Sequence, residues 1–301
     1  MEQKRILVTG ASGLIGSALV ERLAADDHDV VRLVRRAPRS NDEIQWDPVR
    51  GELNPAEVEG FDAVVHFAGA GIGDQRWTDQ RRRLLYDSRI DSTTLLAETL
   101  AKVDRRPKVL ISASAIGYYG LRGDEVLTEE SAAGSDFLAQ ICVDWEAATA
   151  PAAEAGIRVV AIRTGLVLDA EQGFLAKMVP LFKLGVGGRL GSGKQWWSWI
   201  AKEDEVGAII FLLGAEVEGP VNLTAPNPVT NADFTNTLGD VLSRPALVPV
   251  PRFALAVRLG SEMADLTALA SQRVEPQQLE AAGYGFTYSE LAPALRATLG
   301  E

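Results

Sequence analysis

Three glycines near the start of the chain have the spacing of a phosphate-binding turn. Gly10, Gly13 and Gly16 lie in the segment TGASGLIG, which follows a β-rich run and opens a helical pattern. Gly10 and Gly13 allow the backbone to turn tightly and approach a diphosphate, and Gly16 allows the helix to pack closely on the strand. The amides of a helix N-terminus attract an anion. The segment therefore predicts a dinucleotide site, with a purely structural turn as the alternative.

The end of the second predicted strand bears on which dinucleotide is bound. Units of this kind carry an acidic residue about 20 positions after the loop, which binds the adenosine ribose. Here the strand ends in Arg35 and Arg36. A guanidinium binds a 2′-phosphate that a carboxylate would repel, so the sequence favours NADP over NAD. The alternative is a solvated strand end, because Arg32 and Arg39 are also nearby.

The order of the elements predicts how this loop is positioned. Short β-rich runs alternate with longer helical patterns, which is typical of α/β proteins with a Rossmann-type, doubly wound parallel sheet. Strands are predicted at Arg5–Thr9, Val30–Val34, Ile44–Trp46, Ala63–Phe67, Val109–Ser112, Ile157–Ile162 and Val221–Leu223. Helices are predicted at Leu14–Ala25, Asp79–Lys102, Ser135–Ala155 and Glu205–Gly214, and a further helical tail follows the proline-rich stretch 245–251.

These elements suggest a division of the chain into two parts. We expect residues 1–168 to form an NADP-binding domain, with residues 203–224 returning to its sheet. Residues 169–202 and 225–301 are expected to form a small substrate-side lobe that includes the C-terminal helical segment.

Several motifs carry a resemblance to a known family. The chain resembles an atypical member of the extended short-chain dehydrogenase/reductase superfamily, and specifically the NAD-dependent epimerase/dehydratase-like proteins with a C-terminal domain of unknown function. The matching segments are TGASGLIG, FAGAGIGDQRW, DSRIDSTTLL, SASAIGYYG, DFLAQICVDWEAA, RTGLVL, LGSGKQWWSWI, NLTAPNPVTNADF and the stretch from Pro249 to Leu266. Together they span nearly the whole chain.

This resemblance implies a seven-stranded sheet, a C-terminal lobe, a homodimer as the expected assembly, and a set of cofactor contacts. The positions implied to bind NADP are Gly10, Ser12, Gly13, Leu14, Ile15 and Arg35. The turn implied to run beneath the adenine and the diphosphate is Ala68, Gly69 and Ala70. Asp47 is placed near the adenine amino group, and Ser88 stands where the superfamily has an asparagine. For these turn and polar positions a purely local turn role is an equal alternative.

The catalytic residues that the superfamily uses are only partly present. Ser114 fits the residue that polarises a substrate carbonyl, with a simple turn hydroxyl as its alternative role. The Tyr-x-x-x-Lys pair is absent. When Trp145 and Glu146 are aligned with the superfamily's usual helix, the resemblance places Leu138 at the tyrosine position and Cys142 at the lysine position. Hydride transfer to a carbonyl still needs a proton donor, and the phenols of Tyr118 and Tyr119, close to Ser114 in sequence, are the candidates. Their alternative role is the aromatic turn that superfamily members also have at this position.

Three indoles form a second candidate ligand surface. Trp196, Trp197 and Trp199 lie in a segment similar to the substrate-side segment of epimerases. Such a group can form a stacking wall for a sugar or another flat ligand. Packing inside a core or against a lobe is the equal alternative.

Composition excludes several other classes of protein. The 301 residues are 47% hydrophobic and 24% charged, as in globular domains, and the net charge of -11 disfavours nucleic acid and anionic membranes as partners. A single cysteine cannot form an internal disulfide, and the absence of a signal-like or membrane-spanning run favours a cytoplasmic protein. The two histidines and one cysteine show no metal-binding spacing, so no metal is expected.

The sequence therefore leaves two functional hypotheses. The first is an NADP-dependent oxidoreductase or epimerase-like enzyme that acts on a hydroxyl or carbonyl of a small, sugar-like substrate. The second is a regulatory module that binds NADP(H) without turnover, which the missing Tyr-Lys pair favours.

Overall fold

The computed structural model describes residues 3–301, so Met1 and Glu2, the start of the predicted first domain, lie outside the described residues. The strands are β1 (Arg5–Thr9), β2 (Asp29–Val34), β3 (Glu43–Gln45), β4 (Ala63–His66), β5 (Val109–Ala115), β6 (Val126–Leu127), β7 (Arg158–Thr164), β8 (Leu166–Leu168), β9 (Trp196–Trp197), β10 (Trp199–Ala201), β11 (Gly219–Leu223), β12 (Val229–Thr230) and β13 (Arg273–Val274). The α-helices are α1 (Leu14–Ala25), α2 (Asp79–Lys102), α3 (Phe137–Ala147), α4 (Ala150–Glu154), α5 (Gly173–Lys183), α6 (Lys202–Gly214), α7 (Asn231–Val241), α8 (Arg252–Leu259), α9 (Ser261–Leu266), α10 (Gln277–Ala281) and α11 (Leu291–Leu299).

A seven-stranded sheet organises the fold. Its strand order is β11-β7-β5-β4-β1-β2-β3, and every neighbouring pair is parallel. The order reverses beside β1, and ligands of open α/β sheets bind at the carboxyl edge where such a reversal occurs. The predicted Rossmann-type, doubly wound architecture is confirmed.

Both faces of the sheet are covered because its strands are apolar on both faces. On β1, Ile6 packs with α1 and α6 in one hydrophobic cluster, whereas the next residue, Leu7, packs with α2 in another. Successive strand residues point to opposite faces, so the run of buried residues in β1 needs a helical layer on each side.

One predicted helix is divided in two. The helix predicted over Ser135–Ala155 is wrong as a single element, because α3 ends at Ala147 and α4 begins at Ala150. Pro151 lies in the first turn of α4 and has no backbone N–H to donate to the preceding turn. The hydroxyl of Thr149 instead donates to the carbonyl oxygen of Glu146 at 2.7 Å.

The C-terminal segments build a second hydrophobic cluster outside the main sheet. Its members come from β8, α5, β9, β10, α7 and α11. Asp204 at the start of α6 anchors the tail to the sheet domain, since its buried carboxylate accepts from the backbone N–H groups of Thr287 at 2.7 Å and Tyr288 at 2.9 Å. The tail is thereby fixed to the start of α6.

Two features of residues 3–301 bear on membrane and metal binding. None of the helices in this range is long and apolar enough to cross a bilayer. No group of three or more His, Cys, Asp or Glu side chains in the same range is arranged to bind a metal ion.

Candidate cofactor and active site

The glycine loop has a backbone that larger residues would disrupt. Gly10 has φ +64°, and a Cβ added there would lie 2.9 Å from the carbonyl carbon of Phe67. A Cβ at Gly16 would lie 2.3 Å from the carbonyl oxygen of Gly10. The first turn of α1 therefore packs directly on the loop that precedes it, and only glycine permits this approach.

The N-terminus of α1 is open to an anion. The helix begins at Leu14 after the N-cap residue Gly13, and no side chain of residues 3–301 caps it. Ser12 and Gly13 are exposed, and Ile15 lies within the first turn. Uncapped amides together with the helix dipole form a site for a negatively charged group.

A chain of buried polar groups connects the end of β1, just before the glycine loop, to the residues that follow β4. The Oγ1 of Thr9 accepts from the backbone N–H groups of Phe67 at 3.0 Å and Ala68 at 3.2 Å, and it is hydrogen-bonded to Nδ1 of His66 at 2.8 Å. The Nε2 of His66 is 2.9 Å from Oγ1 of Thr93. Burial lowers the pKa of His66 to about 3, so the ring is neutral and structural.

The two arginines at the end of β2 have different surroundings. Arg36 donates to both carboxylate oxygens of Glu43 at 2.7 Å, and this pairing is the main reason that the pKa of Glu43 falls to about 2. The expectation that Arg36 contacts a cofactor is therefore not supported by its geometry. Arg35 is exposed. Within residues 3–301, the ion pairs at this end of β2 are made by Arg32 and Arg36.

The polar residues placed beside the cofactor by resemblance differ in their contacts. Asp47 caps a local turn, since its Oδ1 accepts from the backbone N–H groups of Val49 at 3.0 Å and Arg50 at 3.2 Å. Ser88 on α2 supports the loop after β4, because its Oγ accepts from the backbone N–H of Ala70 at 3.0 Å. Asp47 thus has the local-turn role that was its alternative, whereas Ser88 fixes a loop at the carboxyl edge of the sheet.

Ser114 belongs to a buried charged network that the sequence does not reveal. It lies near the end of β5, is 5% exposed, and donates from Oγ to Oε1 of Glu146 at 2.7 Å. Arg163 on β7 donates to both oxygens of the same carboxylate at 2.8 Å. Glu146 was visible in sequence only as a helix residue, because its two partners come from separate strands.

The two candidate tyrosines lie on a 3-10 turn, Ile116–Tyr119, and have opposite environments. Tyr119 is fully buried, donates to Oδ1 of Asn222 at 2.6 Å and accepts from Arg163 at 3.0 Å. Burial raises its pKa to about 12. As a correction, Tyr119 is unsuited to donate a proton to a substrate, because its hydrogen is already directed to Asn222.

Tyr118 remains as the candidate phenol. Its side chain is half-buried, and the guanidinium of Arg163 lies 3.4 Å from the centre of its ring. Asn222 and Arg163 are the hydrogen-bonding partners of the adjacent Tyr119 hydroxyl. Within residues 3–301 they make no hydrogen bond to the Tyr118 hydroxyl. Arg163 therefore orients both the Tyr118 ring and the carboxylate bound to Ser114.

The positions of the missing Tyr-Lys pair contain no replacement acid or base. Cys142 is buried, and burial raises the pKa of its thiol to about 12. A Cβ built at Gly117 would lie 3.6 Å from Cβ of Leu138 and 3.7 Å from Sγ of Cys142. Both side chains thus pack beneath the turn that carries Tyr118.

The tryptophans are used mainly for packing. Trp199 is fully buried, and Trp197 packs edge-on against Phe174 and Phe234 in the second hydrophobic cluster. The half-buried Trp196 donates from Nε1 to Asp124 at 3.0 Å. The geometry favours core packing over a stacking wall.

These features define the class of protein: a Rossmann-type fold with a nucleotide-binding loop at the carboxyl edge of a parallel sheet. Comparison with known proteins then gives the family. The chain belongs to the NAD dependent epimerase/dehydratase family, whose model matches residues 6–224. Residues 250–298 match a domain of unknown function, DUF1731.

Similar proteins cover nearly the full length of the chain. Epimerase family protein Mb2239 of Mycobacterium bovis is 47% identical over 96% of this chain and 96% of its own. The chloroplastic epimerase family protein SDR39U1 homolog of Arabidopsis thaliana is 39% identical over 99% of this chain and 87% of its own. The crystal structure of human epimerase family protein SDR39U1 (isoform 2) with NADPH has a TM-score of 0.91 and 32% identity, and the match covers 99% of both chains.

Proposed function

We propose that this protein binds NADP(H) and uses it as an oxidoreductase or epimerase-like enzyme on a hydroxyl or carbonyl of a small, sugar-like substrate. The observation that carries the proposal is the exposed Arg35 at the end of β2, at the same sheet edge as the uncapped N-terminus of α1. The human relative that was solved with NADPH supports the choice of cofactor.

The residues of the cofactor site fit a dinucleotide with a 2′-phosphate. Gly10 and Gly16 lie in close contact and carry no side chains. This leaves space for a diphosphate to meet the backbone amides of Leu14 and Ile15 at the start of α1. Arg35 would bind the 2′-phosphate, while Arg36 stays paired with Glu43. The bound nicotinamide would supply the hydride donor or acceptor that this chemistry needs.

Ser114 and Tyr118 are the side chains that we assign to the substrate oxygen. Because the Ser114 hydrogen is directed to Glu146, its oxygen is free to accept a hydrogen bond from a substrate hydroxyl. A carbonyl substrate would require this hydrogen to rotate away from Glu146. Tyr118 would then exchange the proton with the substrate oxygen.

The second function, a sensor that binds NADP(H) without turnover, is favoured by one specific observation. The position of the missing lysine holds Cys142, which is buried and whose pKa is raised to about 12. A protonated thiol is neutral, so it supplies no positive charge beside a ribose and does not lower the pKa of a neighbouring phenol. A sensor of this kind would keep the cofactor site and lack the chemistry.

The cofactor proposal is tested by calorimetric titration with NADPH and NADH. Wild-type protein should prefer NADPH, and Arg35→Asp should lower the affinity for NADPH by about tenfold or more, since a charge-assisted contact becomes a repulsion. Arg39→Asp is the matched control, because Arg39 is another exposed arginine of the same segment. Binding of neither nucleotide by the wild type would refute the proposal, and equal effects of the two variants would refute the role of Arg35.

Turnover separates the enzyme from the sensor. Absorbance of the reduced nicotinamide is followed with a panel of carbonyl compounds and nucleotide sugars. Turnover that Ser114→Ala abolishes supports the enzyme, provided that the variant still binds NADPH. Binding without turnover across the panel supports the sensor.

A further inference from the structure

Arg89 is a buried cation that pairs with no carboxylate among residues 3–301. It lies on α2, is 8% exposed, and donates from Nη1 to the carbonyl oxygen of Leu85 at 2.9 Å. Among residues 3–301, neither the ion pairs nor the remaining hydrogen bonds include its guanidinium, so Nε and Nη2 have no acceptor there. Removal of a guanidinium from water without a compensating anion is costly.

The surroundings of Arg89 direct it towards the cofactor site. On one side, a Cβ added at Gly69 would lie 3.2 Å from Cγ and 3.3 Å from Cζ of Arg89. On the other side, Cζ is 4.9 Å from the centre of the Trp145 ring. The guanidinium is therefore held between the loop after β4, which includes Gly69, and helix α3.

Helix α3 also connects Arg89 to the position of the missing lysine. Cys142 precedes Trp145, whose ring contacts Arg89, by one turn on α3. Burial raises the pKa of the Cys142 thiol, and the nearby charge of Arg89 lowers it by a smaller amount. Arg89 thus brings a positive charge from α2 to the place where α3 has none.

The electrostatic surroundings of Arg89 are those of a guanidinium whose anionic partner is absent. Burial lowers the pKa of Arg89 to about 10, and the nearby Arg81 acts in the same direction. A guanidinium in this setting would be stabilised by any oxyanion that entered the site.

We propose that Arg89 is a cofactor-binding residue that replaces the absent lysine, and that it donates hydrogen bonds to the diphosphate and the nicotinamide ribose. This inference rests on the proposed binding of NADP(H). It assigns the adenine end of the cofactor to Arg35 and the opposite half to Arg89. The two arginines should therefore affect different parts of the same ligand.

The test compares Arg89→Met with Arg82→Met, using two probes. Arg82 is the matched control because it lies on the same helix and stacks on an aromatic ring, Phe137 at 4.4 Å, but is paired with Glu262. The probes are NADPH and adenosine 2′-monophosphate, which contains neither the diphosphate nor the nicotinamide ribose. Affinities are measured by calorimetry, directly for NADPH and by competition for the monophosphate.

We expect Arg89→Met to weaken NADPH by about 10- to 100-fold, because hydrogen bonds from a charged donor are lost, and to leave the monophosphate unchanged. Arg89→Lys should bind NADPH with intermediate affinity, since it keeps the charge but loses the planar donor group. Arg82→Met should bind both probes as the wild type does. Equal NADPH affinities of Arg89→Met and Arg82→Met would overturn the assignment, as would a parallel loss of the monophosphate.

Thermal unfolding separates cofactor binding from a structural role. Without ligand, Arg89→Met should be as stable as the wild type or more stable, because a buried unpaired charge is removed. With saturating NADPH, its rise in Tm should be smaller than that of the wild type. Marked destabilisation without ligand would show that Arg89 is structural and would overturn the proposal.

The failure of this assignment is distinguishable from the failure of the proposed function. If the wild-type protein does not bind NADPH, both are refuted. If the wild type and Arg89→Met bind NADPH with the same affinity, only the role of Arg89 is refuted.

Discussion

The hydroxyl of Ser114 donates a hydrogen bond of 2.7 Å to Oε1 of Glu146. This carboxylate is also the counterion of Arg163, whose side chain is only 3% exposed. The residue that we place at the substrate oxygen is thus positioned by an ion pair that links α3 to β7. The stability of the domain and the orientation of Ser114 depend on the same contact.

The ion pair gives a first prediction. Glu146→Gln removes the charge that compensates Arg163, and breaking a buried pair from one side costs about 3 kcal/mol. The free energy of unfolding, measured with urea, should fall by about that amount. Glu154→Gln is the control, because Glu154 is an exposed residue of α4 and should leave stability unchanged. Similar values for the two variants would show that the pair is dispensable.

The glycine loop gives a second prediction. Gly16→Ala places a Cβ 2.3 Å from the carbonyl oxygen of Gly10, so the backbone of the loop must shift. We expect a loss of about 1–3 kcal/mol in the free energy of unfolding and weaker binding of NADPH. Gly214→Ala is the matched control, since Gly214 is also helical and an added Cβ meets no atom within 4 Å. A Gly16→Ala protein with wild-type stability and affinity would contradict the packing argument.

The sequence predicts this part of the fold well because the relevant signals are local. The spacing of Gly10, Gly13 and Gly16 and the apolar runs beside them specify a βαβ unit within about 30 residues. The break before α4 also has a local signal in Pro151. Local signals, however, identify elements and not the contacts between them.

The candidate active site was harder to predict because its contacts are long-range. Glu146, Arg163 and Ser114 meet only after α3 packs on the sheet face formed by β5 and β7, and no spacing in the sequence encodes that contact. Tyr118 and Tyr119 are adjacent, so composition cannot distinguish them. On a 3-10 turn, successive side chains point about 120° apart, which buries one phenol and leaves the other partly exposed.

A buried carboxyl gives a third prediction, on pH. Glu205 is fully buried, accepts from the hydroxyl of Thr164 at 2.8 Å, and has a pKa raised by burial from 4.5 to about 8. Because the folded pKa is above the unfolded value, this group contributes stability that is complete below pH 4.5 and is lost as the pH rises towards 8.

The Glu205→Gln variant tests this pH dependence. It keeps an acceptor for Thr164 but carries no titrating proton, so its free energy of unfolding should fall less than that of the wild type between pH 5 and 8. Urea titrations at several pH values measure the difference. Glu203→Gln, an exposed neighbour on α6, should follow the wild-type curve. Parallel curves for Glu205→Gln and the wild type would show that Glu205 does not titrate in this range.

The adjacent tyrosines give a fourth prediction, in which each variant is the control for the other. Tyr119→Phe leaves Oδ1 of Asn222 without its donor and removes an acceptor from Arg163, so it should cost about 1–3 kcal/mol of unfolding free energy. Tyr118→Phe should keep wild-type stability, because the ring and its contact with Arg163 remain.

If Tyr118 exchanges the proton, turnover should fall by about 100-fold in Tyr118→Phe and NADPH binding should be unchanged. Stability is measured with urea and turnover by nicotinamide absorbance. A stable Tyr119→Phe protein with a lower rate than Tyr118→Phe would reverse the two assignments, because the buried phenol would then have to reach the substrate.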